Sequence, residues 1–196
     1  ENEDGTIRQL ALRQSASAEH PVLRAHRLAV GFYNEDPETG KIVRTDQFEL
    51  DVDGELTIVE AAAGKARPAL ILVNDDDLTY TKLRFDEKSL KFAAENLYRF
   101  DDALARSVIW LAFWDMTRDG ELPAKQFIET SLAALATEHE STTFRYALAQ
   151  VSTTAWHYTA PAERAEIVKH VAAELFKLAG QAKAGSDEQF QLVTAY

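Results

Sequence analysis

The spacing of apolar residues changes along the chain, from a period of two before Asp86 to a period of 3.6 after it. Over residues 27–32 and 48–53, apolar side chains alternate with polar or small ones. Because successive side chains of a strand point to opposite faces, this alternation predicts strands with one buried and one solvated face. About six or seven such short strands, with turns but no helical stretch between them, predict an antiparallel β-sandwich over residues 1-85.

The turns and the end of this first part allow two more detailed predictions. At Asp53-Gly54, a two-residue loop would place acids and aliphatics on the same face, so we expect a three-residue loop with Gly54 in the left-handed region. That hairpin would bring residues 48–50 opposite residues 56–58. A final strand is expected over Leu78 to Asp86, where polar and apolar residues alternate again.

After Asp86 the pattern is helical. Four apolar stripes begin near Asp102, Pro123, Ser141 and Pro161, which are residues that suit N-cap or first-turn positions. Helices of about 15 to 20 residues joined by short links pack as antiparallel neighbours, so residues 86-196 are expected to form a solenoid-like helical array. No sequence repeat of fixed period accompanies it. The predicted fold class is therefore α+β, with a β-sandwich domain followed by an α-helical domain.

Both ends of the sequence suggest a piece of a longer protein. The chain does not begin with Met, and its single Met is Met116. Near the other end, residues 186–189 form a capping box in front of helically spaced Phe190 and Val193, so a further helix is expected to begin and be cut short. The lack of a targeting signal in this sequence therefore carries no information about the location of the protein.

Charge and composition exclude several classes of partner. The net charge of -11 repels a phosphate backbone, and no cluster of Lys and Arg interrupts it, so no nucleic-acid partner is expected. The apolar runs fall short of the roughly 20 residues needed to cross a bilayer, so no membrane span is expected. Cysteine is absent, which excludes disulfides and thiolate metal sites and favours a reducing, cytoplasmic location.

The most acidic segment, Asn74 to Asp77, could supply oxygen ligands to a calcium ion. It lacks the alternating acids, the glycine and the distal glutamate of a calcium loop. The sequence favours a solvated turn that joins a buried strand to the next segment, since Asn and Asp readily bend the backbone.

Histidine spacing gives no metal site either. His139-Glu140 begins like the zinc-protease signature His-Glu-x-x-His, but the fifth position is Thr143 and one of the two ligands is missing. The segment is more typical of a polar link and helix cap. The other histidines lack the partner spacing of a tetrahedral site; they are His20, His26, His157 and His170.

No other motif supplies a nucleophile, a phosphate loop or a ligand platform. The sequence contains no glycine-rich phosphate loop and no Gly-x-Ser-x-Gly elbow. Trp110, Trp114 and Trp156 could stack on a ligand, but the first two lie four residues apart on a largely apolar helix, which favours a shared core. We therefore expect no catalytic, cofactor-binding or metal-ligating residue in this chain.

Two segments carry a resemblance to a known family. RPALILVNDDDLTY (Arg67 to Tyr80) and WDMTRDGELP (Trp114 to Pro123), in the order sandwich then helices, resemble the C-terminal part of the zinc aminopeptidase N family, its bacterial branch above all. The resemblance begins near His20. Where many members have Gly-Tyr-Tyr-Arg-Val in the last strand, this chain has residues 78–83 as LTYTKL, so no role of that arginine is carried over.

The resemblance implies a supporting part of a larger enzyme. In the family, the sandwich follows a zinc-binding catalytic domain, and a helical domain like that of the endoplasmic-reticulum aminopeptidases comes after it. The catalytic motifs, His-Glu-x-x-His and Gly-Ala-Met-Glu-Asn, do not occur here. The implied partners are the parent's own catalytic domain and peptide substrates, with zinc held by that domain. The alternative is a non-enzymatic interaction module that binds a protein or peptide on its helices.

Overall fold

The computed structural model describes all residues from Glu1 to Tyr196, and they divide into two compact units. The first unit, Glu1–Ala93, contains every strand, and the second, Ala94–Tyr196, contains most of the helices. The predicted α+β class is confirmed. The division of the protein into domains at residues 85 and 86 stays a prediction. No helix is both long enough and apolar enough to span a membrane.

The first unit is an antiparallel sandwich of two small sheets. Its two-stranded sheet pairs β1 with β4, and its three-stranded sheet has the order β3-β2-β5. All pairings are antiparallel. The strands are β1 (Ala11–Arg13), β2 (His26–Glu35), β3 (Ile42–Val52), β4 (Leu56–Ile58) and β5 (Leu70–Asp75), with one 3-10 turn at Glu60–Ala62.

One apolar core joins the two sheets. Leu12 of β1 packs in the same cluster as Leu28, Val30 and Phe32 of β2 and Ile71 of β5. Residues between the strands complete it: Ile7, Val59 and Ala62. Because the side chains of β2 alternate in direction, Leu28, Val30 and Phe32 at its third, fifth and seventh positions can all face this core.

The prediction of one solvated face is wrong for β2. Ala29 and Tyr33, on the face opposite the core, are fully buried as well. Gly31, between them, has no side chain, and the carboxylate of Asp75 occupies that space. Polar contacts within the fold therefore cover a face that alternation alone assigns to solvent.

The predicted hairpin at Asp53-Gly54 is also wrong, although Gly54 does adopt the expected left-handed conformation with φ 72°. Leu50 pairs with Leu28 of β2, whereas Leu56 pairs with Arg13 of β1 in the other sheet. The chain thus turns a corner between sheets at this point. A corner places β4 over the apolar side of the larger sheet, which a flat hairpin would leave open to water.

The predicted last strand, Leu78 to Asp86, does not form: residues 78–86 contain no strand. Tyr80 is fully exposed, and Leu83 is the buried apolar residue of the segment. β5 ends at Asp75 because the residues beside and after it adopt left-handed backbone angles, which turn the chain out of the sheet.

Six α-helices follow the last strand. They are α1 (Glu87–Asn96), α2 (Ala103–Arg118), α3 (Ala124–Leu135), α4 (Ser141–Thr153), α5 (Arg164–Gln181) and α6 (Asp187–Ala195). Asp102 caps α2 as predicted, since its side chain accepts hydrogen bonds from the backbone of residues 104 and 105. Two predicted starts shift. Glu140 rather than Ser141 caps α4, and α5 begins at Arg164, three residues after Pro161. A turn of π-helix at Thr154–Tyr158 extends α4.

Within the second unit the helices stack in neighbouring pairs. α3 packs against both α2 and α4, α5 packs against α6, and contacts also join α3 with α5 and α4 with α6. Contacts between each helix and the next two along the chain are the pattern of stacked helical hairpins. Buried Phe113, Phe127, Phe144, Val151 and Leu175 fill the spaces between them.

Candidate functional site

The acidic segment Asn74–Asp77 is the most strained part of the backbone. Asn74, Asp76 and Asp77 all have positive φ angles, of 56°, 68° and 52°. For residues other than glycine this conformation is uncommon, and it persists only where surrounding contacts stabilise it. The segment is therefore the first place to look for a functional arrangement.

Asp75, the one member of this segment with an ordinary strand conformation, is 1% exposed and holds a hydrogen-bond network. The hydroxyl of Tyr33 donates to its Oδ1 at 2.7 Å. Arg44 Nη1 donates to its Oδ2 at 2.8 Å, and Gln47 Nε2 donates to the same oxygen at 3.3 Å. Both carboxylate oxygens are thus occupied, and the charge is paired with a guanidinium.

Arg44 and Gln47 also hold the neighbouring Asp76. Arg44 Nη1 lies 2.7 Å from Asp76 Oδ1, and Gln47 Nε2 lies 2.6 Å from Oδ2. The hydrogen bond from Arg44, followed by that from Gln47, lowers the pKa of Asp76 below its ordinary value. The same contacts to Asp75 and Asp76 raise the pKa of the Arg44 guanidinium. These shifts favour the ionised forms of Arg44 and Asp76.

Gly31 is required by this network. A Cβ atom built on Gly31 would lie 2.4 Å from Asp75 Oδ2 and 2.8 Å from a ring carbon of Tyr33. Both distances are far below van der Waals contact, so β2 can approach the carboxylate only through a residue without a side chain. A glycine within the alternating strand was the sequence signal for this close approach.

Asn74 closes the turn on its other side. Its Nδ2 donates to the carbonyl oxygen of Thr79 at 2.8 Å, and its Oδ1 accepts from the Thr79 backbone N–H at 3.0 Å. The hydroxyl of Thr79 lies 2.7 Å from His26 Nδ1. The prediction of a solvated turn is thus wrong for Asn74 and Asp75, which are buried. Chemically, carboxylates that are hydrogen-bonded to a guanidinium suit a structural clamp better than a general base, which must reach a substrate proton.

The chain does not contain a set of side chains suited to zinc. No group of three or more His, Asp or Glu residues converges in a way that could hold a metal ion. Asp75 and Asp76 both form ion pairs with Arg44, so a guanidinium already supplies the positive charge beside these carboxylates. The residues present do not fit the zinc ion that the resemblance implies for the parent protein.

The histidines lie apart. His139 is exposed and points to Glu188, with Nδ1 3.4 Å from Oε1, while Glu140 caps α4 by accepting hydrogen bonds from the backbone of Thr142 and Thr143. The bond from the Thr143 backbone is the main cause of a lowered pKa of Glu140. The structure therefore places the partial His-Glu match at a helix cap, as the sequence favours.

A second polar cluster, which sequence reasoning missed, lies in the helical unit. Arg106 Nε and Nη2 donate to the two carboxylate oxygens of Glu138 at 2.8 and 3.0 Å, and Glu138 is 1% exposed. Burial alone would raise the pKa of Glu138, but the bonds from Arg106 and from the backbone of His139 and Glu140 outweigh it, and the pKa is lowered. Because the partners are far apart in sequence, no local pattern indicates this pair.

The tryptophans separate into core and surface. Trp110 is buried, as predicted. Trp114 is half-buried and contacts the rings of Phe127 and Tyr158, with centroids 5.7 and 5.8 Å apart. Trp156, in the π-helical turn, is more than half exposed. The three rings do not form one stacking platform.

Comparison with known proteins adds two findings. Residues 70–196 match the protein-family model described as the ERAP1-like C-terminal domain. The chain is also similar to Aminopeptidase N of Streptomyces lividans, with 40% identity over 199 residues that cover 98% of the chain and 23% of that protein. The chain therefore spans less than a quarter of the length of the relative it matches. The matched region of the family model begins at β5 and includes the acidic segment and all six helices.

Proposed function

Because the chain belongs to the family of ERAP1-like C-terminal domains, we propose that it is a non-catalytic segment of a zinc-dependent aminopeptidase that removes N-terminal residues from peptides. The observation that carries this proposal is the 40% identity to an Aminopeptidase N, which extends over almost the whole chain rather than one motif. Catalysis and zinc belong, on this proposal, to a catalytic domain elsewhere in the parent protein.

The chemistry of the clustered side chains supports a scaffolding role. Asp75, Asp76 and Glu138 are each hydrogen-bonded to an arginine. A general base needs an oxygen or nitrogen within reach of a substrate proton, and these carboxylates are occupied instead. We propose that the sandwich supports the catalytic domain and that the helices help to enclose the chamber in which peptides are cleaved. Confinement of this kind orients a substrate and excludes water.

The partners and the location follow as parts of the same proposal. The catalytic domain of the parent is the intramolecular partner, and peptides are the substrates. A cytoplasmic location stays a prediction, which fractionation of the source cells with an antibody against this chain would check.

The full-length gene product tests the enclosure. We would compare it with a version lacking residues 94–196, using an aminoacyl dipeptide and a long unstructured polypeptide as substrates. If the helices enclose the chamber, their removal changes the ratio of kcat/KM for the two substrates by about tenfold or more in favour of the long one. An unchanged ratio, with both proteins folded and loaded with zinc, would contradict the enclosing role.

The gene itself separates this proposal from an interaction module. A His-Glu-x-x-His motif encoded upstream of Glu1 agrees with an aminopeptidase, because two histidines one helical turn apart supply the zinc ligands. An upstream sequence without such a motif would favour the interaction module, in which the helices bind a protein or peptide.

A further inference from the structure

A groove of about 400 Å³ lies between α3 and α5 in the helical unit. Ile167 contributes partly exposed apolar surface, whereas Ile128 at the same groove is almost fully buried, and Lys125, Glu129, Glu166 and His170 supply the charged or titratable groups. Its volume falls near the lower end of the roughly 300–1,000 Å³ typical of small-molecule sites. The clamp around Asp75 and the proposed peptidase function make no use of this groove.

Two of the four polar side chains are paired with each other. His170 Nε2 on α5 lies 3.1 Å from Glu129 Oε1 on α3, so this contact bridges the two helices. Each of these residues lies one turn from another charged residue on the same helix, Lys125 on α3 and Glu166 on α5. Side chains four residues apart on a helix share a face, which is why all four reach one groove.

The other two, Lys125 and Glu166, form no ion pair in the structure. Both are exposed, and both line the groove. The groove therefore offers one free ammonium group and one free carboxylate, with aliphatic surface from Ile167. A ligand that matches this set carries an anion, a cation and an apolar group in a small volume.

We propose that the groove binds a free α-amino acid with an aliphatic side chain. The carboxylate of the ligand would pair with Lys125, its ammonium group with Glu166, and its side chain would contact Ile167. Charge complementarity selects a zwitterion over a simple anion or cation. A simple anion would leave Glu166 without a cationic partner, and a simple cation would leave Lys125 without an anionic one.

The expected affinity is low. Exposed ion pairs contribute little because water and salt screen them. Burial of one aliphatic side chain adds the main favourable term, so the dissociation constant is expected in the range of about 1–10 mM. Such a site would respond only to high amino-acid concentrations. The inference goes beyond the proposed function, since binding requires no peptidase activity, but amino acids are what an aminopeptidase releases.

An NMR titration of the 196-residue chain tests the proposal. L-leucine is added to the ¹⁵N-labelled protein up to about 50 mM, well above the expected dissociation constant. Three related compounds serve as probes of each group: L-leucinamide lacks the carboxylate charge, N-acetyl-L-leucine lacks the ammonium charge, and glycine lacks the side chain. We expect saturable shifts of the amide signals of residues 125–129 and 166–170 with L-leucine, and at least fivefold weaker binding of each probe.

Variants assign the charges. Lys125→Gln and Glu166→Gln should each weaken L-leucine binding at least fivefold. Lys169→Gln and Glu95→Gln are the matched controls, since both residues are exposed and neither lines this groove; they should leave binding unchanged. The same spectra show whether each variant is folded.

The proposal is overturned if L-leucine produces no saturable shifts near the groove, if leucinamide or N-acetyl-leucine binds as well as leucine, or if the groove variants bind like the controls. None of these results bears on the aminopeptidase proposal, which rests on different residues and a different assay.

Discussion

Replacement of Asp75 by Asn tests the clamp most sharply. The substitution keeps the shape of the side chain but removes its charge and turns one acceptor into a donor. Oδ2 accepts from Arg44 and Gln47, so an amide nitrogen at that position would face two donors. The other oxygen could still accept from the hydroxyl of Tyr33.

The magnitude follows from burial. Removal of one partner of a buried ion pair costs about 3–5 kcal/mol. Arg44, however, is 34% exposed and keeps its contact with Asp76, so its charge is partly compensated by water and by that second carboxylate. We therefore expect a loss of about 2–3 kcal/mol in the free energy of unfolding of the first unit. With a urea dependence of about 1–3 kcal/mol per molar, the midpoint should fall by about 0.7–3 M.

The assay must measure unfolding of the sandwich and not of the helical unit. All three tryptophans lie in the second unit, so tryptophan fluorescence does not follow the strands. Hydrogen exchange measured by mass spectrometry at increasing urea, on peptides covering β2 and β5, measures the unfolding of these two strands directly. Asp51→Asn is the control, because Asp51 is an exposed strand aspartate paired with exposed Arg27. If Asp75→Asn shifts the midpoint no more than Asp51→Asn does, the buried network does not stabilise the sandwich.

Three further substitutions test other parts of the structure. Gly31→Ala should cost about 1–3 kcal/mol in the same exchange assay, because the new Cβ overlaps the Asp75 carboxylate, and the cost should shrink when Asp75 is also Ala; additive losses would contradict the close approach. Glu138→Gln should destabilise the helical unit, as read by tryptophan fluorescence in urea. The folded-state pKa of Glu138 is lowered, so the stability it contributes is present above its unfolded pKa and is lost as pH falls through the folded value. The difference between wild type and Glu138→Gln should therefore be largest at neutral pH and shrink below the ordinary value of 4.5, and a difference that grows in acid would refute the assignment. Asp102→Ala should cost about 1 kcal/mol by removing the cap of α2, whereas Asp102→Asn should retain most of it; equal losses would exclude capping as the cause.

The spacing of apolar residues predicted the order of strands and helices, because burial of one face of each element imposes that spacing. The change from alternation to helical spacing near Asp86 does separate the strands from the helices. Caps are predictable for the same local reason: Asp102 accepts hydrogen bonds from the backbone N–H groups of Leu104 and Ala105, two and three residues further along the chain. Each of these features depends on residues within one or two turns of one another.

The errors fall where distant residues decide the structure. Residues 78–86 alternate like a strand, but a strand requires a partner, and three left-handed residues direct the chain away from one. Leu50 and Leu56 flank a turn typical of a hairpin, yet covering the core places them in different sheets. No local sequence pattern indicates which sheet each of these residues joins.

The same limit explains the clamp. Asp75 looks like one acid of a solvated run until Tyr33, Arg44 and Gln47 are brought to it from two other strands. Gly31 was the local sequence feature that indicated this arrangement, because a glycine within a strand often marks the close approach of another group. Its partner could not be named from the sequence.

Zinc content and aminoacyl hydrolysis, measured side by side on the 196-residue chain and on the full-length gene product, test the central claim most directly. Elemental analysis and turnover of leucine-p-nitroanilide after dialysis are the two readouts. We expect one zinc and zinc-dependent hydrolysis in the full-length protein, and neither in this chain. Stoichiometric zinc with turnover in the chain alone, or a full-length protein with neither, would contradict this claim.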